Sequence, residues 1–276
     1  MLRQAHEDRR GEMSRRSTLH SSRKHPHRNR PYRHLWSALL ASVTFMSWVD
    51  VAGLPVPVQR GLRRSGVING EVPVAVRVLQ EGQIRTGADG RWLRFTAVED
   101  YTLDPPGFVW NASLLLAGMR AGRATDSFVN GRGRMRVKLF GVFTVVDASG
   151  DEMDQGSLMR WLNESMWFPA VWATEAISWE PVDDNAAIGS VAVGDLTASA
   201  EFHFDDDGLL VDFRADRFRD VGSGFEMTPW STPLVEHRDF HGVELPSVGS
   251  AIWTLEHDTF EYIRIRVTDV SYSPQA

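Results

Sequence analysis

Residues 151–169, DEMDQGSLMRWLNESMWFP, form the one long helical stretch in a chain that otherwise alternates like strand. Asp151, Glu152 and Asp154 follow Gly150 and fall in the first turn, where the positive end of the helix dipole favours acids. Leu158, Trp161, Leu162, Ser165 and Met166 recur at three- and four-residue steps and draw one apolar stripe. Trp167, Phe168 and Trp172 carry that stripe past the break at Pro169. Large aromatics of this kind bury about 150–250 Å² each when enclosed. The stretch therefore reads as a plug around which something else folds.

What surrounds it has a period of two. Val72, Val74, Val76 and Val78 share one face, opposite Arg77, as in a half-buried strand. Further strands are expected at 91–98, 107–116, 125–129 and 132–146 before the helix. After it they are expected at 175–180, 187–193, 196–204, 209–218, 224–228, 236–240, 251–257 and 262–272. Asp205-Asp206-Asp207-Gly208 is the clearest hairpin turn among them. A short helix over 58–65, entered through Pro55 and Pro57 and closed near Gly66, precedes the strands. Many antiparallel strands with one long helix predict an α+β protein, mostly β: a curved antiparallel sheet, an incomplete barrel, wrapped over one central amphipathic helix.

Composition sets the boundaries of this reading. With 276 residues, 42% hydrophobic and 10% aromatic, the chain can bury a sizeable core. The net charge of −6 hides an asymmetry, because residues 1–34 hold ten Lys and Arg against three acids, leaving the body strongly acidic. An acidic body is a poor partner for nucleic acid. The absence of cysteine excludes disulfides, thiolate zinc sites and cysteine nucleophiles. Residues 1–34 are expected to be a disordered basic leader, since they hold almost no apolar side chains. Residues 35–52 then read as a signal- or anchor-like segment, beginning with the uncharged run LWSALLASVTFMSWV at 35–49. A spanning helix needs about 20 apolar residues and a signal core roughly 7–15, so the length suits a signal. Asp50, close to a cut after Ala52, does not suit cleavage, and Met13 offers an alternative start. Insertion of this segment would keep Arg28, Arg30 and Arg33 cytoplasmic and send the single β-rich domain, 54–276, into the cell envelope. A packed helix of a cytoplasmic protein is the alternative.

Candidate chemistry is sparse. His237 and His241 have the spacing of two zinc ligands on a helix, but the flanks read as strand, where such residues lie ~13 Å apart. Gly131-Arg132-Gly133 lacks the third glycine and the following helix of a dinucleotide loop. Asn111-Ala112-Ser113 is a glycosylation sequon in form only, set inside a strand. No metal and no cofactor is expected. Arg132, Arg134, Arg136 and Lys138 alternate with Gly133, Met135, Val137 and Leu139, as Arg264 and Arg266 alternate with Ile263, Ile265 and Val267. Such a face is either a basic rim for an anionic head group or a solvated surface neutralised by acids. Asp126, Glu152, Asp216 and Arg217 are the polar residues expected nearest to aromatics, and buried carboxylates with raised pKa can serve as acid and base.

The set Leu54-Pro55, Val58, Arg91-Trp92, Pro106-Gly107-Phe108-Val109-Trp110, Asp126, Gly131 and Gly133, Glu152, Leu158, Arg160-Trp161-Leu162, Glu164, Trp167-Phe168-Pro169, Trp179, Asp216-Arg217, Pro229-Trp230, Gly242, Pro246 and Trp253 resembles an uncharacterised bacterial domain-of-unknown-function family common in actinobacteria. The resemblance spans about residues 54–272. Trp161 stands where the family more often has Tyr, and Phe168 where it often has smaller residues, both compatible with packing. In architecture, strands over a central helix also resemble the LolA-like lipoprotein-carrier half-barrels. Together these readings favour a non-catalytic, envelope-associated module that binds a lipid or other hydrophobic molecule. Trp110, Trp161, Met166, Trp167 and Trp172 would line its pocket, with Arg134, Arg136, Asp126 and Arg217 as polar contacts. A cavity on the order of a few hundred Å³ against the helix is implied. The alternatives are a hydrolase or isomerase built on buried carboxylates, and a structural or interaction protein held at the membrane through 35–49. Oligomeric state is left open.

Overall fold

The computed structural model describes residues 50–67, 72–140 and 142–273, which all lie within one compact unit, Val43–Ala276. The expected leader, 1–34, and the apolar run 35–49 lie outside the described residues. The first elements are a 3-10 turn, Val51–Gly53, and helix α1, Val56–Ser65. Pro57 sits in the first turn of α1, and Gly66 ends it at φ 81°, a left-handed value that glycine adopts without steric cost.

Six strands follow: β1 (Ala75–Ile84), β2 (Leu93–Thr102), β3 (Gly107–Leu116), β4 (Met119–Val129), β5 (Arg132–Leu139) and β6 (Phe143–Ser149). Helix α2 (Asp151–Glu164) and two 3-10 turns, Ser165–Trp167 and Pro169–Ala173, interrupt them. The remaining strands are β7 (Ser178–Pro181), β8 (Ala186–Val193), β9 (Leu196–Phe204), β10 (Leu210–Asp220), β11 (Phe225–Ser231), β12 (Leu234–Phe240), β13 (Val243–Thr254) and β14 (Thr259–Ser273). All pair antiparallel in one sheet, ordered β6-β5-β4-β3-β2-β1-β14-β13-β11-β10-β9-β8-β7, with β12 beside β13. The first and last strands meet in the middle, Val78 opposite Val270. The chain thus builds one limb outward from β1 and the other inward to β14.

Helix α2 touches both limbs, β4 and β5 on one side and β9 and β10 on the other, so the sheet curls around it as a half-barrel. Asp154 fixes the helix start: its carboxylate accepts the Gly133 N–H at 2.6 Å and Arg132 Nη1 at 2.7 Å. Gly133 allows this approach, because a Cβ there would run into the Met153 carbonyl and the Ser157 hydroxyl. The glycine pair that superficially suggests a dinucleotide loop is therefore a helix-docking device. Leu158, Trp161, Leu162, Ser165 and Met166, the expected stripe, are all buried, against Tyr101, Phe108, Phe128, Phe168 and Phe202.

The three largest departures from the expected strand boundaries have local causes. The expected strand 132–146 is two strands, β5 and β6, with Phe140 taking a left-handed φ of 49° at the turn. β4 begins at Met119, paired with Leu116, and its early start is hidden from the sequence because outward Arg123 is solvated and inward Gly122, under Leu139, has no side chain to mark the alternation. β13 begins at Val243, its Pro246 and Gly249 accommodated where β12 pairs with register shifts.

Candidate functional site

Inward positions of β2 and β4 carry two acids among apolar neighbours: Glu99 between Ala97 and Tyr101, and Asp126 between Ala124 and Phe128. Arg160, on α2, reaches both. Its Nη2 lies 2.7 Å from Glu99 Oε1, its Nη1 2.7 Å from Asp126 Oδ2 and its Nε 2.8 Å from Glu164 Oε1. The guanidinium rests over Phe108 at 4.7 Å and Trp110 at 5.4 Å. Gln80 donates to the second oxygen of Glu99 and accepts the Trp110 indole N–H, while Tyr101 donates to the second oxygen of Glu164.

Three carboxylates about one guanidinium are an excess of negative charge in a low-dielectric interior. Burial pushes Glu99 well above the usual carboxylate range, with the Glu164 charge adding to the rise and Arg160 opposing it. Burial likewise raises Glu164, again against Arg160. Holding a proton on this pair relieves the excess. Asp126 Oδ1 is the one carboxylate oxygen of the three residues that is buried with no hydrogen-bond partner.

A second guanidinium approaches α2 from the opposite limb. Arg217, on β10, donates to the Gly156 carbonyl at 3.1 Å, lies over Trp230 at 4.8 Å and leaves its Nε buried and unpartnered. Gly156 and Arg160 are one helical turn apart on the same face. Beside them the inward apolar residues Ile84, Met135, Val137, Tyr262, Ile263 and Ile265 are only half-buried, although they face the same way as the fully buried Val78, Phe108 and Val270. The concave surface is thus filled at one end by α2 and its 3-10 turns and is accessible at the other. Two cations, one free carboxylate oxygen and an apolar wall can together hold an apolar body with a single hydrogen-bonding group.

The residues expected from sequence divide into three groups. Trp110, Asp126 and Arg217 stand at this polar junction. Trp161, Met166, Trp167 and Trp172 are at most 5% exposed within the filled end. There Trp161 Nε1 donates to Thr102 O, Trp167 Nε1 to Pro246 O and Trp172 Nε1 to Ser165 Oγ, at 2.8–3.1 Å. Arg134 and Arg136 point outward and share Asp147. Glu152 lies half-buried in the first turn of α2 and Asp216 is exposed on β10, so neither joins Asp126. His237 meets the Leu210 carbonyl and His241 the Asp269 carboxylate, two separate places. A concavity of about 410 Å³ lies on β1–β3, β13 and β14, lined by the outward Glu81, Gln83, Arg94, Thr96, Arg264 and Arg266 together with Gly82, Phe95 and Ile265 of the inward set, and no residue of α2 lines it.

From sequence Glu99 carries no expected role, and Arg160 and Glu164 enter only within the set that carries the family resemblance, yet signals for a polar site exist at all three. Glu99 occupies an inward position by strand parity, and Arg160 and Glu164 form an i,i+4 pair within the turns of α2 that carry its apolar stripe.

The model of a family of unknown function, DUF6544, matches residues 44–265. No curated protein matches the chain. Among solved structures, the chain is similar to a DUF1329 family protein from Desulfovibrio piger at 11% identity and TM-score 0.43, covering 79% of this chain and 93% of that one. It is also similar to a putative outer membrane lipoprotein-sorting protein domain from Vibrio parahaemolyticus (7% identity, TM-score 0.42, 81% and 93% covered). A LolA superfamily protein from Nitrosomonas europaea gives 11% identity and a TM-score of 0.40, with 79% and 94% covered.

Proposed function

We propose that this chain, which belongs to the DUF6544 family of unknown function, is a non-catalytic, envelope-associated module that binds a lipid or other hydrophobic molecule at the accessible end of its half-barrel. The observation that carries the reading is the row of inward yet half-buried apolar residues, Ile84, Met135, Val137, Ile263 and Ile265, beside the unpartnered Asp126 oxygen. Apolar side chains that face a concavity without being covered lose the stabilisation of burial, about 25 cal/mol per Å², and an apolar ligand restores it. Asp126 Oδ1 supplies the acceptor for one hydroxyl or amine of that ligand. The uncharged run 35–49, read as a signal- or anchor-like segment, is the support for an envelope location.

A hydrolase or isomerase built on the same acids has one observation in its favour, the raised pKa of Glu99 and Glu164. Their oxygens are already engaged by Arg160, Gln80 and Tyr101, which leaves Asp126 Oδ1 as the one oxygen of the three carboxylates without a hydrogen bond. The binding reading accounts for both.

Native mass spectrometry of the full chain purified from its own host, followed by organic extraction, tests it. A reproducible apolar adduct, lost when Val137→Trp fills the accessible end, is the expected result. Protein that carries no adduct and takes up no fluorescent fatty acid overturns it.

A further inference from the structure

The half-barrel has one edge limb unlike the other. Between Met119 and Ser149, covering β4 to β6, the chain carries six Lys and Arg and two acids, one of which is the inward Asp126. Between Ser178 and Gly208, covering β7 to β9, it carries eight acids and no Lys or Arg. A protein with net charge −6 therefore presents a basic limb and an acidic limb at opposite edges of one sheet.

The basic limb ends in exposed apolar side chains. Leu116 and Met119 flank the β3–β4 turn, and Phe140, Val142 and Phe143 flank the β5–β6 turn. The two turns lie at the same end of the sheet and are tied together, the Phe140 N–H donating to the Ala121 carbonyl at 2.9 Å. Met119, Phe140 and Val142 are more than 70% exposed. Phe140 holds this position at φ 49°, a left-handed backbone that a bulky L residue adopts only at a cost and that Gly or Asn would satisfy better. Folding gains nothing from an exposed phenyl ring there. Contiguous exposed apolar side chains of this size mark a surface that meets something else.

Charge indicates what it meets. Arg123 and Lys138 stand directly opposite each other on the outward face of β4 and β5, and among the described residues neither lies within 4 Å of a carboxylate. Like charges directly opposed across strands are destabilising unless an anion stands between them. Apolar tips backed by uncompensated cations, on a molecule whose far edge is acidic, fit an anionic surface with a greasy interior.

We infer that the β3–β4 and β5–β6 tips dock onto an anionic lipid bilayer, with Met119, Phe140, Val142 and Phe143 entering the interface and Arg123 and Lys138 meeting lipid phosphates. This inference does not depend on the run 35–49 or on the ligand reading above.

The chain has no cysteine, so single labels are clean. Full chain carrying Val142→Cys, labelled with an environment-sensitive fluorophore, is mixed with phosphatidylcholine vesicles containing phosphatidylglycerol or lacking it. A matched label at Asp183→Cys reports from the acidic limb. The inference expects a blue shift at position 142 with anionic vesicles only, none at position 183, and loss of the shift when Arg123→Gln and Lys138→Gln are combined. Equal shifts at both positions, equal shifts with neutral vesicles, or no shift at position 142 overturn it. A shift without lipid that grows with protein concentration also overturns it, and identifies a second copy of the chain as the occupant instead.

Discussion

The two ends of the half-barrel interior use the same sheet differently. At the filled end, Tyr101, Phe108, Phe128, Trp161 and Phe168 are at most 2% exposed, and every indole N–H donated by α2 and its 3-10 turns has a partner. At the accessible end, Ile84, Met135, Val137, Ile263 and Ile265 face inward half-buried, and the buried atoms Asp126 Oδ1 and Arg217 Nε lack partners. A polar layer centred on Arg160 divides them. The difference teaches that the aromatic plug serves stability, whereas apolar surface is left uncovered at the end where nothing in the chain has been placed to meet it.

The comparison is most sharply tested at its dividing layer. Arg160→Met leaves Glu99, Asp126 and Glu164 buried without their shared cation, and breaking such a cluster typically costs about 3–5 kcal/mol. Urea unfolding of the variant measures it, and a loss under 1 kcal/mol contradicts the idea that this layer holds helix to sheet. Next, Leu158→Ala at the filled end opens a cavity beneath a fully buried side chain and is expected to cost about 3 kcal/mol by the same measurement.

Acid titration probes the layer more gently. Glu99 and Glu164 are raised from an ordinary 4.5, so over the interval above that value the folded protein keeps a proton that the unfolded chain has released. Their contribution to stability is therefore favourable at low pH and is lost as pH rises, at up to about 1.4 kcal/mol per pH unit for one proton. Subtracting the Glu99→Gln stability profile from that of the unaltered protein should expose this falling component, and a flat difference refutes it. The smallest expected stability effect is at the accessible end. Ile265→Ser, at a half-buried position, should cost about 1 kcal/mol while sharply weakening fatty-acid uptake, and the two readouts moving together as at Leu158 would erase the distinction between the ends.

Much of this architecture is legible in one dimension. The three- and four-residue spacing of Leu158, Trp161, Leu162 and Met166 defines a helix with one buried face whatever lies opposite. Asp205 to Gly208 closes a hairpin because the Asp205 carboxylate accepts the Asp207 and Leu209 N–H groups and Gly208 takes φ 87°. Strand parity also separates outward Arg134 and Arg136 from inward Met135 and Val137. The start of β4 is less legible, since a solvated arginine outside and a glycine inside leave no alternation to see. The β5–β6 turn is hidden for the opposite reason, Phe140 occupying a place where glycine or asparagine would have announced it.

By itself the sequence determined which segments form strands and helix, and which side of each one is apolar, because those properties depend on residues two to four positions apart. Only the tertiary structure decided that Arg160 meets an acid 61 residues earlier, on β2, and another 34 residues earlier, on β4, or that Arg217 reaches α2 from the other limb. Those meetings follow from the register of paired strands and the curl of the sheet, which bring distant positions within 3 Å and exclude the water that would otherwise keep their charges apart.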